Sequence, residues 1–322
     1  MFGSYLGDCP PQNSNDACYV ADNGGSGVVV SVTDPDPTGQ SCNIGGVTCN
    51  YKIWWQTSKS ECSEAGGEGY DNGWCLVESD SFNEREPYDI ILKADSTHRL
   101  EISCTDSLGN SIEDTEEFLV DSTSPETTKT YGNPTFADKG YRWITSQTPI
   151  TLTAVDKKAG VDKLYYRVTN VGDDLCPEDC SGYEGTGDFI EVDGDNTQFT
   201  INDESCHLIE YYSSDKLGNK ELNHAQCVIV DNSPPKVTKT IGWPSVEKEN
   251  TYISQRTPIT LICEDSSPHP VGPMSLYYRY RVSDDCKNWS DWREWIDQNS
   301  DSKTINKTIY FEEDSCHELQ YY

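Results

Sequence analysis

The sequence predicts an all-β protein made of tandem, disulfide-stabilised β-sandwich units. Three observations carry that prediction: hydrophobicity alternates with period two, a stretch of about 110 residues recurs along the chain, and the 322 residues include 14 cysteines. The alternation is clearest where Ile150, Leu152 and Ala154 alternate with threonines, and where Leu164, Tyr166 and Val168 alternate with Tyr165 and Arg167. No convincing amphipathic helix is predicted. About five to seven such strands per unit is the density of a sandwich.

Four blocks recur in order at a nearly constant offset. Thr128-Lys129-Thr130-Tyr131-Gly132-Asn133-Pro134 returns as Thr238-Lys239-Thr240-Ile241-Gly242-Trp243-Pro244, and Thr148-Pro149-Ile150-Thr151-Leu152 as Thr257-Pro258-Ile259-Thr260-Leu261. Leu164-Tyr165-Tyr166-Arg167 returns as Leu276-Tyr277-Tyr278-Arg279. Asp203-Glu204-Ser205-Cys206-His207 returns as Glu313-Asp314-Ser315-Cys316-His317, each followed by a double tyrosine. A more diverged first copy shows at its end, where Asp106-Ser107-Leu108-Gly109-Asn110 and Val120-Asp121 parallel Asp215-Lys216-Leu217-Gly218-Asn219 and Val230-Asp231, and where His98 aligns with His207 and His317. The expected units are 1–124, with Cys-rich insertions near its start, 125–234 and 235–322. Boundaries fall before Pro125 and Pro235, since an X-Pro step favours extended backbone and stiffens a short connection. Leu-Gly-Asn at 108–110 and 217–219 reads as a turn between strands.

The segment from His207 to Glu221, with Gly160-Val161 leading into Tyr165-Tyr166-Arg167, resembles the immunoglobulin-like repeats of large bacterial and archaeal cell-surface proteins. The resemblance covers the second unit fully, the third up to Tyr322 and the first weakly. It implies tandem Ig-like sandwiches and a surface role, and the family carries no catalytic residues to transfer.

The third copy ends at the counterpart of Tyr212, so its last strand is expected either from further chain or from another molecule by strand addition. Cys176 with Cys206 and Cys286 with Cys316 stand 30 apart at matching positions, which predicts a repeated disulfide. Cys180 and Cys227 then pair in the second unit. Cys263 is placed at the position of Thr153, with a partner beyond Tyr322. In the first unit local closures are expected for Cys9 with Cys18, Cys42 with Cys49 and Cys62 with Cys75, which leaves Cys104 over.

A tetrahedral zinc site of Cys206, His207, His224 and Cys227 is disfavoured, because the repeats preserve the histidine while the other ligands vary. Carboxylates gather instead on loops. Asp34, Asp36, Asp156, Asp162 and the junction residues Asp121 and Asp231 are candidate Ca²⁺ ligands, against the alternative of solvated acidic loops. No other cofactor is required. Trp289, Trp292 and Trp295 are a candidate platform for sugar rings or, more simply, strand-face packing, as are Trp54, Trp55 and Trp143. Asn288 and Asn306 fit the N-x-[ST] glycosylation pattern.

Charge and motif content narrow the function. With 24 Lys+Arg against 55 Asp+Glu, the net charge of −31 repels phosphate backbones and argues against nucleic acid as a partner. Cysteine usage fits disulfides outside the cytosol. No signal peptide is recognisable at Met1, and the apolar runs are too short for membrane insertion. No nucleophile–base or paired-acid arrangement suggests an enzyme. The expectation is a non-enzymatic, rod-like structural or adhesive segment of a prokaryotic extracellular surface protein, whose partners are copies of itself, other surface proteins or glycans. The alternatives are a filament or surface-layer subunit completed by strand exchange, with the stretch before Gly27 as donor, and a carbohydrate-binding module.

Overall fold

The computed structural model describes residues 18–21, 28–32, 46–83, 88–92, 95–138, 140–172, 176, 180, 183–265, 269–272, 275–299 and 304–322. It is almost wholly β. The first stretch comprises β1 (Cys18–Ala21), β2 (Val28–Val30), β3 (Thr48–Gln56), helix α1 (Lys59–Glu64), β4 (Gly69–Asp71), β5 (Trp74–Asn83), β6 (Tyr88–Ile90), β7 (Thr97–Thr105) and β8 (Ser111–Asp121). One sheet runs β1-β8-β7-β3-β5-β4, with β1 parallel to β8, and β2 pairs with β6. Strand alternation turns Cys49, Tyr51 and Ile53 of β3 inward, where they meet Leu100, Phe118, Ile90 and Leu92 in one core. The unpredicted helix has a local cause. Ser58 caps it and Glu61 closes a capping box, a Ser-x-x-Glu signal legible in the sequence, and Cys62 ties it to Cys75.

The second stretch comprises β9 (Glu126–Tyr131), β10 (Thr135–Asp138), β11 (Tyr141–Ile144), β12 (Ile150–Val155), β13 (Val161–Gly172), β14 (Ile190–Asp193), β15 (Asn196–Phe199), β16 (Cys206–Asp215) and β17 (His224–Val230). Its sheets are β10-β11-β17-β16-β13-β14 and β15-β12-β9. Ile150, Leu152 and Ala154 of β12 face Leu164, Ile209, Tyr211 and Val228 across the gap, so the period-two pattern becomes a shared core.

The third stretch repeats this with β18 (Lys236–Ile241), β19 (Ser245–Glu247), β20 (Thr251–Ile253), β21 (Ile259–Glu264), β22 (Ser275–Ser283), β23 (Ile296–Asn299), β24 (Thr304–Ile309) and β25 (Cys316–Tyr321). Leu261, Cys263, Leu276, Tyr278 and Phe311 centre its core. One difference separates it from the second. There β17 joins β11 to β16, whereas here β19–β20 stands apart from β23-β22-β25, and among the described residues no strand links β20 to β25. The register also corrects one expectation: Cys263 lies opposite Val237 as Ala154 lies opposite Thr127, so its counterpart is Ala154, not Thr153.

Five disulfides lie among the described residues. Cys176 is bonded to Cys206, Cys286 to Cys316, Cys180 to Cys227 and Cys62 to Cys75. The fifth differs from expectation. Cys49 bonds Cys104 rather than Cys42, because β3 and β7 pair with these two residues directly opposite each other. Cys9 and Cys42 lie outside the described residues, as does the side chain of Cys18. Cys263 is a buried free thiol.

Candidate functional site

The most constrained polar site lies where the first unit meets the second. β8 ends on Asp121, which is fully buried. Its Oδ1 accepts hydrogen bonds from the N–H and hydroxyl of Thr123, two residues on, at 3.0 and 2.7 Å. Its Oδ2 accepts the N–H of Ala159 from the second unit at 3.0 Å. The Asp-x-Leu-Gly-Asn turn adds a second tie. Asp215 Oδ1 accepts the N–H groups of Leu217 and Asn219, Gly218 takes the left-handed φ of 88° that the turn requires, and Asn219 donates its side-chain amide to Asp215 Oδ2 and to the carbonyl of Asp121 at 3.0 Å. Lys158 also forms an ion pair with Asp95 of the first unit.

This folding brings carboxylate oxygens of Asp121, Asp156 and Asp215 within 4.8 Å of one another. Asp156 is held by the N–H groups of Lys158 and Gly160 on Oδ1, which leaves its Oδ2 outside those bonds. The electrostatic cost shows in a comparison within the chain. The exposed Asp106, in the same turn motif, has its carboxyl pulled below the usual range by Asn110. Buried Asp215 is pushed up instead, first by desolvation, with Asp121 adding to it. An all-oxygen set of clustered carboxylates and a carbonyl is the chemistry of a hard cation such as Ca²⁺.

The second joint repeats part of this arrangement. Asp231 takes the place of Asp121, with Oδ1 accepting the N–H of Ser233, and Asp265 takes the place of Asp156, with Oδ2 accepting the N–H groups of Val271 and Gly272. Burial raises the Asp231 carboxyl, and Asp265 and Glu204 add to the rise. Beside them His269 is buried.

Of the predicted calcium ligands, the structure thus groups Asp121 with Asp156 and places Asp231 at the equivalent joint. Asp162 is exposed and stands outside the group. Asp34 and Asp36 lie outside the described residues. Asp215 was missed, although its motif recurs in the sequence, because Asp-x-Leu-Gly-Asn reads as a turn and only the packing of two units brings its carboxylate to the joint. Cys206 and Cys227 of the disfavoured zinc set are both in disulfides. The repeated histidines share one structural contact: Nδ1 of His98, His207 and His317 lies 3.2, 3.2 and 3.1 Å from the carbonyls of Ser96, Ser205 and Ser315.

The three clustered tryptophans interleave with arginines of β22. Arg279 lies 4.4 Å from the ring centre of Trp295 and 4.7 Å from that of Trp292, and Arg281 lies 4.6 Å from Trp292 and 5.1 Å from Trp289. Gln320 and Glu318 of the neighbouring β25 accept the Nε–H groups of these arginines. The indoles are therefore engaged by guanidinium groups, and Trp292 by two of them, which braces the sheet face and competes with sugar stacking. Trp54, Trp55 and Trp143 are half-buried strand residues. Asn288 is exposed and donates its side-chain amide to Asp285; Asn306 is exposed on β24. A concavity of about 780 Å³ on the face of β3, β5, β7 and β8 is open and lined by polar groups such as Lys52, Asp80, Glu101 and Asp114. Among the described residues, no helix is long and apolar enough to cross a membrane.

No protein-family model matches the chain, and no curated protein matches its sequence. Solved structures with some likeness include a tetra-tandem repeat from the extending region of a large adhesion protein, 13% identical over 90% of this chain and 64% of its own, with a TM-score of 0.24. A Ca²⁺-stabilized adhesin with which an Antarctic bacterium binds ice is 12% identical over 93% of this chain and 64% of its own, with a TM-score of 0.30. The dimeric latent PorU of Porphyromonas gingivalis is 12% identical over 82% and 26%, with a TM-score of 0.22. This chain spans less than two thirds of the length of each. Likenesses this loose carry no argument about its function.

Proposed function

We propose that this chain is a non-enzymatic spacer segment of an extracellular prokaryotic surface protein, a rod of Ig-like repeats that holds an adhesive or structural element away from the cell. The observation that carries the reading is the bonding of Asp121: one buried side chain is hydrogen-bonded to both units it joins, an arrangement suited to transmitting orientation along a chain. Disulfides within the units suit an oxidising, protease-rich exterior. Copies of itself, other surface proteins or glycans are the partners this reading calls for.

Calcium belongs to the same proposal. The Asp121–Asp156–Asp215 group is a site where Ca²⁺ would neutralise like charges and lock the first joint. Small-angle X-ray scattering of the whole chain, in calcium and in chelator, tests both parts. An extended particle that stiffens with calcium is expected. A collapsed particle would sink the spacer reading, and an extended one indifferent to calcium would remove the ion alone.

A second reading, a subunit completed by strand exchange, is favoured by the edge of β25. Beside the gap between β20 and β25, Tyr252 is 60% exposed, whereas its counterpart Trp143, which β17 adjoins, is half-buried, and a strand laid antiparallel to β25 would restore that cover. The expected donor changes, since Cys18–Ala21 already pairs with β8. Light scattering over a concentration series distinguishes the readings, with growth into ordered polymers favouring the subunit.

A further inference from the structure

We propose that the outer face of the first unit's sheet is a binding trough for an uncharged, unbranched glycan. Cys49, Tyr51 and Ile53 of β3 turn into the core, so Asn50 and Lys52 stand on the opposite face. The register sets Ser81 of β5 and Ser103 of β7 on either side of Asn50, with Glu113 of β8 beyond Ser103, and sets Glu101 of β7 beside Lys52. These side chains form two walls, the first of which crosses all four strands. Between the walls Tyr51 is buried in the core and Ile102 packs against that core, which leaves backbone as the floor.

The hollow has room for a ligand. Its volume of about 780 Å³ lies within the roughly 300–1,000 Å³ typical of small-molecule sites, and four strands at a spacing of about 4.8 Å make it about 14 Å long. The walls stand two residues apart along each strand, about 7 Å, which admits a single chain without branches. β5 carries one extra residue opposite the Ile53–Trp54 step, a bulge that bends the strand beside the trough. The walls also hold unspent polar groups. Among the described residues, the side chains of Asn50, Lys52, Ser81, Ser103 and Glu113 make no hydrogen bond or ion pair, and Glu101, directly opposite Lys52, reaches instead to Arg99 at 3.8 Å.

The chemistry of the walls selects the ligand. Hydroxyl, amide, ammonium and carboxylate groups in one trough offer donors and acceptors together, which is what a polyhydroxylated chain needs at each ring. None of these wall side chains is apolar, so a bound peptide would find no pocket for its own side chains. Lys52 is the one cation among the lining residues, against Asp80, Glu101, Glu113 and Asp114, so sulfated or uronic-acid glycans are repelled. The proposal rests on the reading of the chain as a surface segment, which puts it among glycans, but not on the calcium joint.

The test is isothermal titration of the whole chain with the linear hexamers of cellulose, mannan and chitin, and with hexagalacturonic acid as the acidic comparison. At least one neutral hexamer should bind and the acidic one should not. Lys52→Met should weaken that binding by about 10-fold or more, as loss of a charge-assisted hydrogen bond does, and Asn50→Ala should weaken it as well. Trp292→Ala should leave it unchanged, and thermal melting shows that each variant folds. Failure of every neutral hexamer to bind, equal binding of the acidic one, or binding indifferent to both Lys52→Met and Asn50→Ala overturns the trough, while an extended particle in the scattering experiment would still uphold the spacer reading.

Discussion

The carboxylate of Asp121 and the backbone N–H of Ala159 meet at 3.0 Å across the first joint, one from the end of a strand and the other from a loop of the next unit. A linker reduced to a few residues becomes stiff only when such contacts remove its remaining dihedral freedom, since each ordered residue costs roughly 1–2 kcal/mol of backbone entropy. Here Asn219 reinforces the tie by bonding the carbonyl of the same aspartate. Three clustered carboxylates, two of them buried, oppose it. The joint is therefore held by hydrogen bonds and loosened by charge, which makes it responsive to an ion.

Asp215→Asn should separate these effects. Its carboxyl is raised by burial and by Asp121, so the folded chain holds this proton more tightly than the unfolded one. The joint therefore gains stability as pH falls through the carboxylate range and loses it as pH rises. In chelator at neutral pH the asparagine variant should melt higher than the parent; in calcium the order should reverse. Calorimetry in both buffers checks this, and an unchanged order would refute calcium at the joint.

Lys129 should give the second unit an opposite pH dependence. Its ammonium nitrogen is buried without a hydrogen-bond partner, about 5 Å from the rings of Tyr131 and Tyr211, and desolvation, aided by Arg142, pulls its pKa down to about 7. An unfolded lysine keeps its proton to about 10.4. Between those values the unfolded state binds more protons, so stability should rise with pH by up to about 1.4 kcal/mol per unit. Lys129→Met should flatten this rise, measured by urea unfolding between about pH 7.5 and 9, below the range in which tyrosine ionisation intervenes.

The arginine–tryptophan ladder should prove structural. Arg279→Ala removes contacts to two indoles and one bond to Gln320, for a loss of about 1–2 kcal/mol in the third unit. Arg279→Lys should recover only part of it, because an ammonium lacks the planar surface that stacks between rings. Tryptophan fluorescence during unfolding reports both variants. A sugar platform would instead show glycan binding lost on Trp292→Ala with stability nearly unchanged.

Removing Cys176 and Cys206 together, as alanines, should destabilise the second unit by about 3–4 kcal/mol through the loop they close. Gly185→Ala should harm the same unit for a steric reason. A Cβ there would collide with the Glu210 carboxylate, which Arg167 holds at 2.5 and 3.0 Å. The pair is part-buried, and displacing its hydrogen-bonded carboxylate costs about 1–3 kcal/mol. Thermal melts of each variant check both expectations.

Local order was legible in the sequence because its causes are local. Alternation at Ile150, Leu152 and Ala154, the left-handed glycine of Leu-Gly-Asn and the matching 30-residue cysteine spacings each act within one strand, turn or loop. The repeat then carried the second unit's reading to the third. What required the tertiary structure involves partners distant in sequence. Cys104 finds Cys49 through strand register, Asp215 joins Asp121 because two units pack end to end, and the tryptophans interleave with Arg279 and Arg281 because β22 aligns those arginines on one face.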